Sequence, residues 1–255
     1  MASIRPESRE AYQHQHHPEK IAERLDQGPE SLYLKDFVYG AIDGAVTTFA
    51  VVAGVAGAGL PAGIIIILGF ANLLADGFSM AISNFLGTRA ENQYRAQARQ
   101  RELDEIRKWP EGEREEVRQI YARKGFEGEL LDQVVEVLTR DQERWADVML
   151  QEEHGMGLSG HDAGRAGLAT FVAFALVGLI PLLPYLAEWL GWLTIDQPFL
   201  WSSIMTSIAF FWVGALKGRF VNQSWFASGS ETLAIGGAAA AMAYGVGVLL
   251  GGLAG

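Results

Sequence analysis

The chain has 255 residues, 30 acidic against 20 basic, and a formal net charge of −10. That acidic excess argues against nucleic acid as a partner, because neutralising phosphates needs clustered base. The absence of cysteine excludes disulfides and thiolate metal sites, leaving carboxylate, Met and His as the available ligands.

Mean hydropathy is only slightly positive because two kinds of sequence are mixed. Residues 1–36 hold five bases and the run HQHH at 14–17, with no apolar core of the secretory type, so no signal peptide is expected. The histidines could capture metal, but a polar tail is the favoured reading. Nearly uncharged segments then follow at 37–58, 64–87, 166–187, 198–216 and 232–253, separated by a densely charged stretch over 88–165. A hydrocarbon core about 30 Å thick takes roughly 20 helical residues to cross. The segments meet or approach that length, are rich in Gly and Ala, and are flanked by Tyr185, Trp189, Trp192 and Trp201. The expected fold is therefore all-α: a polytopic membrane protein of five transmembrane helices, with a small cytoplasmic helical domain between helices two and three. Its parts are a tail over 1–35, helices one and two over 36–88, the insert over 89–164, and helices three to five over 165–255.

Orientation follows from the bases, which stay on the cytoplasmic side in short loops. Five precede the first helix, thirteen lie in 88–165, and Lys217 and Arg219 follow the fourth helix. The loops at 59–63 and 188–197 and the C-terminal end have none. This places the N-terminus and insert in the cytoplasm and the C-terminus outside, as an odd number of spans requires. Glu188 and Asp196 fall in the outer loop.

The first helix carries Asp43, with Gly40 and Gly44 four apart around it. Such a small-residue face allows another helix to approach closely, within the chain or across a dimer. The second helix carries Asn72, Asp76, Met80 and Asn84 at intervals of four, which form one stripe along a helix face. An Asp at the centre of a membrane helix costs roughly 2.5–3.5 kcal/mol on insertion scales, so it faces a protein interior or a wet cavity and is a functional candidate. Asn72, Asn84, Thr47 and Thr48 fit a polar pathway and interhelix packing equally well. Beside two acids, the soft thioether of Met80 suits a late divalent metal.

The second helix is expected to continue through GTRAENQYRAQARQRELDEIRKW and to stop at Trp109–Pro110. Pro110 starts the next helix, which runs to about Lys124 and is stopped by Gly125. A third pattern runs from about Glu129 to His154 with a break near 139–141. Glu102 and Glu105 are three apart, Glu113 and Glu116 are three apart, and Met149 and Glu153 are four apart. Each pair therefore shares a helix face. Eighteen acids against thirteen bases over 88–165 fit a solvated acidic surface as well as a metal site. Di-iron bundles use Glu-x-x-His; the positions three after Glu105 and Glu116 are Lys108 and Gln119, so a ferritin-like centre is disfavoured. Ser228 and Glu231 fit a capping box opening the fifth helix.

The stretch DFVYGAIDGAVTTFAVVAGVAGA, the short turn, GFANLLADGFSMAISNFLG and the insert ending TRDQERWADVMLQEEHG resemble the vacuolar iron transporter family from Lys35 onward. The resemblance implies a dimer of five-helix subunits that moves Fe²⁺, and also Mn²⁺, out of the cytosol in exchange for protons, with metal as substrate and no prosthetic group. It implies metal contacts at Glu102, Glu105, Glu113, Glu116, Met149 and Glu153, and a membrane pathway at Asp43 and Met80 near the dimer axis. Leu150 stands where the plant-type pattern has a second Met. Asn72 stands where that pattern has a carboxylate one turn before Asp76, and Asp76 is inferred to take over its role. These departures look like a bacterial branch, in a cytoplasmic membrane.

Two other classes compete. Paired membrane acids could perform aspartyl proteolysis, but IDGA and LADGF lack the Gly-x-Gly-Asp arrangement, and that chemistry leaves the Glu pairs unexplained. A membrane-anchored module whose acidic insert docks a basic protein leaves Asp76 unexplained.

Overall fold

The computed structural model describes residues 13, 16–27 and 33–253 and contains no strand among them. His14, part of the HQHH run, lies outside the described residues. The helices are α1 (Pro18–Gln27), α2 (Leu34–Gly57), α3 (Ala62–Lys108), α4 (Pro110–Arg123), α5 (Gly128–Leu138), α6 (Gln142–Glu152), α7 (Ala163–Gly178), α8 (Leu183–Trp189), α9 (Pro198–Phe220) and α10 (Trp225–Leu250). The chain divides into two compact units, Met1–Phe85 with Gly164–Gly255, and Leu86–Ala163.

Among the described residues of the first unit, five helical runs are long and apolar enough to cross a membrane: α2, the first part of α3, the run over 163–189, α9 and α10. The third is interrupted. α7 stops at Gly178, and the chain passes through a 3-10 turn at Ile180–Leu182 into α8. Pro181 and Pro184 lack an N–H and crowd the preceding turn, which breaks the hydrogen-bond ladder. The core between helices contains Phe49, Val52, Leu73, Phe174, Leu182 and Phe210.

Gly40 and Gly44 serve contacts within the chain. A Cβ at Gly40 would overlap the carbonyl of Thr170, and one at Gly44 the carbonyl of Phe174, so their small-residue face is occupied by α7. The fifth helix also starts earlier than its hydropathy suggests, at Trp225 with Ser224 before it. Trp225 and Phe226 set their rings edge-on to Phe211 of α9, at 5.8 Å between centroids in each case. This packing supports turns whose Ser, Glu and Thr content hides them from a hydropathy scan. The expected capping box at Ser228 and Glu231 is therefore absent. Ser228 lies inside the helix, buried, with its Oγ unpartnered, and Glu231 pairs with Lys217 at 3.2 Å.

The second unit closes around Leu103, Ile106, Val117, Leu131, Val135, Trp145, Ala146 and Met149. Burying each large apolar side chain is worth about 1.5–3 kcal/mol. Trp109 leaves the helical conformation (φ −144°, ψ 68°) before Pro110, which opens α4. Gly125, at φ 94°, takes the left-handed conformation that ends α4. At the start of α6, Asp141 accepts a hydrogen bond from the Arg144 N–H at 2.9 Å. Arg99 on α3 ties this helix down through Asp147 and Glu143, each at 2.8 Å.

Candidate metal site

The acidic cluster of the second unit is assembled from three helices. Glu102 sits on α3 beside the core residue Leu103 and one turn before Ile106, so it is carried inward with that face and is 1% exposed. α4 carries Glu113, 8% exposed, next to the buried face of Val117, and the exposed Glu116. Glu153 and His154 follow directly on α6. The Met156 N–H donates to the Leu150 carbonyl at 2.9 Å across Gly155, whose φ of 64° suits glycine and fixes where the helix stops.

Two carboxylate oxygens here have no hydrogen-bond partner although both are buried, Oε2 of Glu102 and Oε2 of Glu113. Leaving a buried carboxylate oxygen unsatisfied is costly unless a cation or donor meets it. The other oxygen of Glu102 lies 2.8 Å from His154 Nε2. Among the described residues, this is the one ion pair made by any of Glu102, Glu105, Glu113, Glu116 and Glu153. Neighbouring acids, by contrast, have basic partners: Asp147 and Glu143 have Arg99, Asp132 has Arg118, and Glu152 has Lys124. The cluster is thus electrostatically unbalanced, with a single ion pair for its five carboxylates among the described residues.

The consequence is visible in the acidities. Burial pushes Glu113 up to about 7, with repulsion from Glu116, Glu102, Glu105 and Glu153 adding to it. Partial desolvation also raises the exposed Glu116, followed by repulsion from Glu102 and Glu105, while His154 acts in the opposite sense. Glu153 is raised by partial desolvation and by repulsion from Glu102, Glu116 and Glu105, again opposed by His154. His154 is raised chiefly by its hydrogen bond to Glu102. One ligand atom from each of Glu102, Glu153 and His154 lies within 4.8 Å of the other two. A divalent cation at such a place would satisfy the orphaned oxygens and relieve the mutual repulsion.

The five glutamates singled out in the sequence are therefore within electrostatic reach of one another, with Glu102 and Glu113 buried and Glu105, Glu116 and Glu153 exposed. Met149 is fully buried within the apolar core of the unit. His154 is the participant that periodicity missed. It lies just beyond the regular part of α6, where a spacing of three or four no longer reports a shared face. The available signal was its adjacency to Glu153 ahead of Gly155.

In the membrane-spanning unit, Asp43, Asp76 and Met80 are all half-buried, and the two carboxylates are close enough to interact. Met80 packs against the apolar core. The amides make interhelix bonds. Asn72 donates to Thr47 at 3.1 Å and Thr48 at 3.2 Å, and Asn84 donates to Asp36 and Thr170, each at 2.8 Å. These bonds fix α3 against α2 and α7, and they leave Asp76 as the acid of the stripe.

Five apolar helices, with an acidic helical unit inserted between the second and third spans, define a multi-pass, all-α membrane protein. The chain belongs to the VIT family, whose sequence pattern matches residues 34–248. It is 34% identical over 226 residues to a vacuolar iron transporter of Toxoplasma gondii, covering 86% of this chain and 74% of that one. It is 31% identical to vacuolar iron transporter 1 of Oryza sativa subsp. japonica, covering 92% and 90%. With vacuolar iron transporter 1 of Arabidopsis thaliana the identity is also 31%, over 83% of each chain.

Proposed function

We propose that this protein is a transporter of divalent metal that exports Fe²⁺, and also Mn²⁺, from the cytosol in exchange for protons. The observation that carries this reading is the unbalanced cluster of the second unit, with two buried carboxylate oxygens that lack a partner. The names of the relatives support iron as substrate and transport rather than proteolysis as the activity. The exposed Glu105, Glu116 and Glu153 gather hydrated metal on the cytoplasmic side and so raise its local concentration, and the buried Glu102, Glu113 and Met149 complete the site as the ion sheds water. Asp43, Asp76 and Met80 then take the partly dehydrated ion within the membrane. A carboxylate beside a divalent cation loses its proton, and a desolvated one without the cation regains it. Competition between the two for the same oxygens couples the flows.

The distribution of bases supports a cytoplasmic N-terminus and insert and an outer C-terminus. Leu150 and Asn72, which depart from the plant-type pattern, favour a bacterial cytoplasmic membrane. The protein works as a homodimer, the assembly that the family resemblance implies.

The test is uptake of Fe²⁺ and Mn²⁺ into tight proteoliposomes with lumenal pH followed at the same time, for the wild type, Asp43→Asn and Asp76→Asn. Metal entry opposed by proton exit, lost in both variants, is the expected result. Full coupling in both variants, or no movement of either metal by the wild type, refutes the proposal.

A further inference from the structure

We infer that His154 is a metal ligand of the cluster, supplying an imidazole nitrogen that turns an otherwise oxygen-dominated site toward the later divalent ions. The inference rests on the proposed reading of the cluster as a metal site.

Three features carry it. His154 Nε2 and Glu102 Oε1 lie 2.8 Å apart. Two adjacent ligands of an octahedral ion with bonds of about 2.1 Å lie about 3 Å apart, so the pair already has the spacing of a chelating edge, bridged at present by a proton. The second feature is the buried and unpartnered Oε2 of Glu102, a residue only 1% exposed. A proton shared with His154 satisfies one oxygen of this carboxylate and leaves the other orphaned, whereas a cation seated at the edge could reach both. The third is placement. Glu153 and His154 are consecutive, and each offers an atom within 4.8 Å of the other and of Glu102. Gly155 then turns the chain away. The His154 side chain remains 26% exposed, so the edge is open to an arriving ion.

The chemical consequence is selectivity. Carboxylates alone suit Mn²⁺ and Mg²⁺, whereas an imidazole favours Fe²⁺, Co²⁺, Ni²⁺ and Zn²⁺. His154 should therefore raise the affinity for Co²⁺ more than that for Mn²⁺.

The experiment uses the full-length protein in detergent micelles, loaded with Mn²⁺ and examined by electron spin-echo modulation, which detects ¹⁴N bound to the ion. The wild type, His154→Gln, Glu102→Gln and the surface variant Glu153→Gln are compared, and Co²⁺ and Mn²⁺ affinities are titrated in parallel. Expected is a ¹⁴N signal in the wild type that disappears in His154→Gln while Mn²⁺ stays bound and the other four histidines remain. The preference for Co²⁺ over Mn²⁺ should fall about tenfold in that variant, the scale on which one ligating or ligand-supporting group acts. Mn²⁺ that is bound, and weakened by Glu153→Gln or Glu102→Gln, but with no ¹⁴N signal dependent on His154, overturns the inference and leaves the carboxylate site standing. Binding unaffected by all three substitutions overturns both.

Discussion

Glu113→Gln should make the metal-free protein more stable at alkaline pH. Glu113 is 8% exposed, and burial together with four neighbouring carboxylates raises it from 4.5 to about 7. At 1.36 kcal/mol per pH unit, that difference corresponds to a penalty of about 3 kcal/mol once the group is ionised in the folded state. Below about pH 4.5 both folded and unfolded chains hold the proton, so there is no penalty. Between 4.5 and 7 the unfolded chain has released its proton while the folded one keeps it, and stability falls as pH rises. Above 7 the penalty is complete. Gln fills the same volume and cannot ionise, so the variant should be more stable than the wild type by up to about 3 kcal/mol at pH 8 and indistinguishable from it near pH 4. The assay is thermal unfolding of the chelator-treated protein in detergent, followed by circular dichroism from pH 4 to 8.5. Excess Mn²⁺ should reverse the order by stabilising the wild type through binding to its native state. Parallel pH profiles for the two proteins, or a less stable variant at pH 8, would show that Glu113 is not held protonated by its surroundings.

The raised pKa values of Glu113, Glu116 and Glu153 also make metal binding compete with protons. Mn²⁺ affinity measured by titration calorimetry should fall as pH is lowered, by about tenfold per pH unit for each proton displaced, the proton of Glu113 entering below about 7, and a pH-independent affinity would contradict this. Gly44→Leu would drive a side chain into the Phe174 carbonyl of α7, so loss of folded, monodisperse protein on size-exclusion chromatography is expected, with Gly63→Ala, at a position with open space, as the tolerated control. Asn84→Leu removes the bonds to Asp36 and Thr170; a destabilisation of about 1 kcal/mol, the scale of such bonds between membrane helices, should appear as a lower thermal midpoint in micelles.

Much of the architecture follows from local sequence because its causes are local. Long uncharged runs need a hydrocarbon-like surrounding, and the stops at Trp109–Pro110 and Gly125 are consequences of backbone chemistry at those residues. The glutamate pairs are legible for the same reason, since three or four residues along a helix always share a face. Other features depend on what lies opposite in space. That Gly40 and Gly44 meet α7, that Trp225 and Phe226 extend α10 by packing on Phe211, and that Asn72 binds Thr47 and Thr48 are facts of neighbourhood. The distinction matters most in the acidic cluster. Sequence alone supplied its carboxylates and their spacing. Only the tertiary structure decided that Glu102 and Glu113 are buried with an oxygen each left unpartnered, and that His154, past the end of helical periodicity, turns onto Glu102. Desolvation and charge proximity are set by three helices converging, and no single helix encodes that convergence.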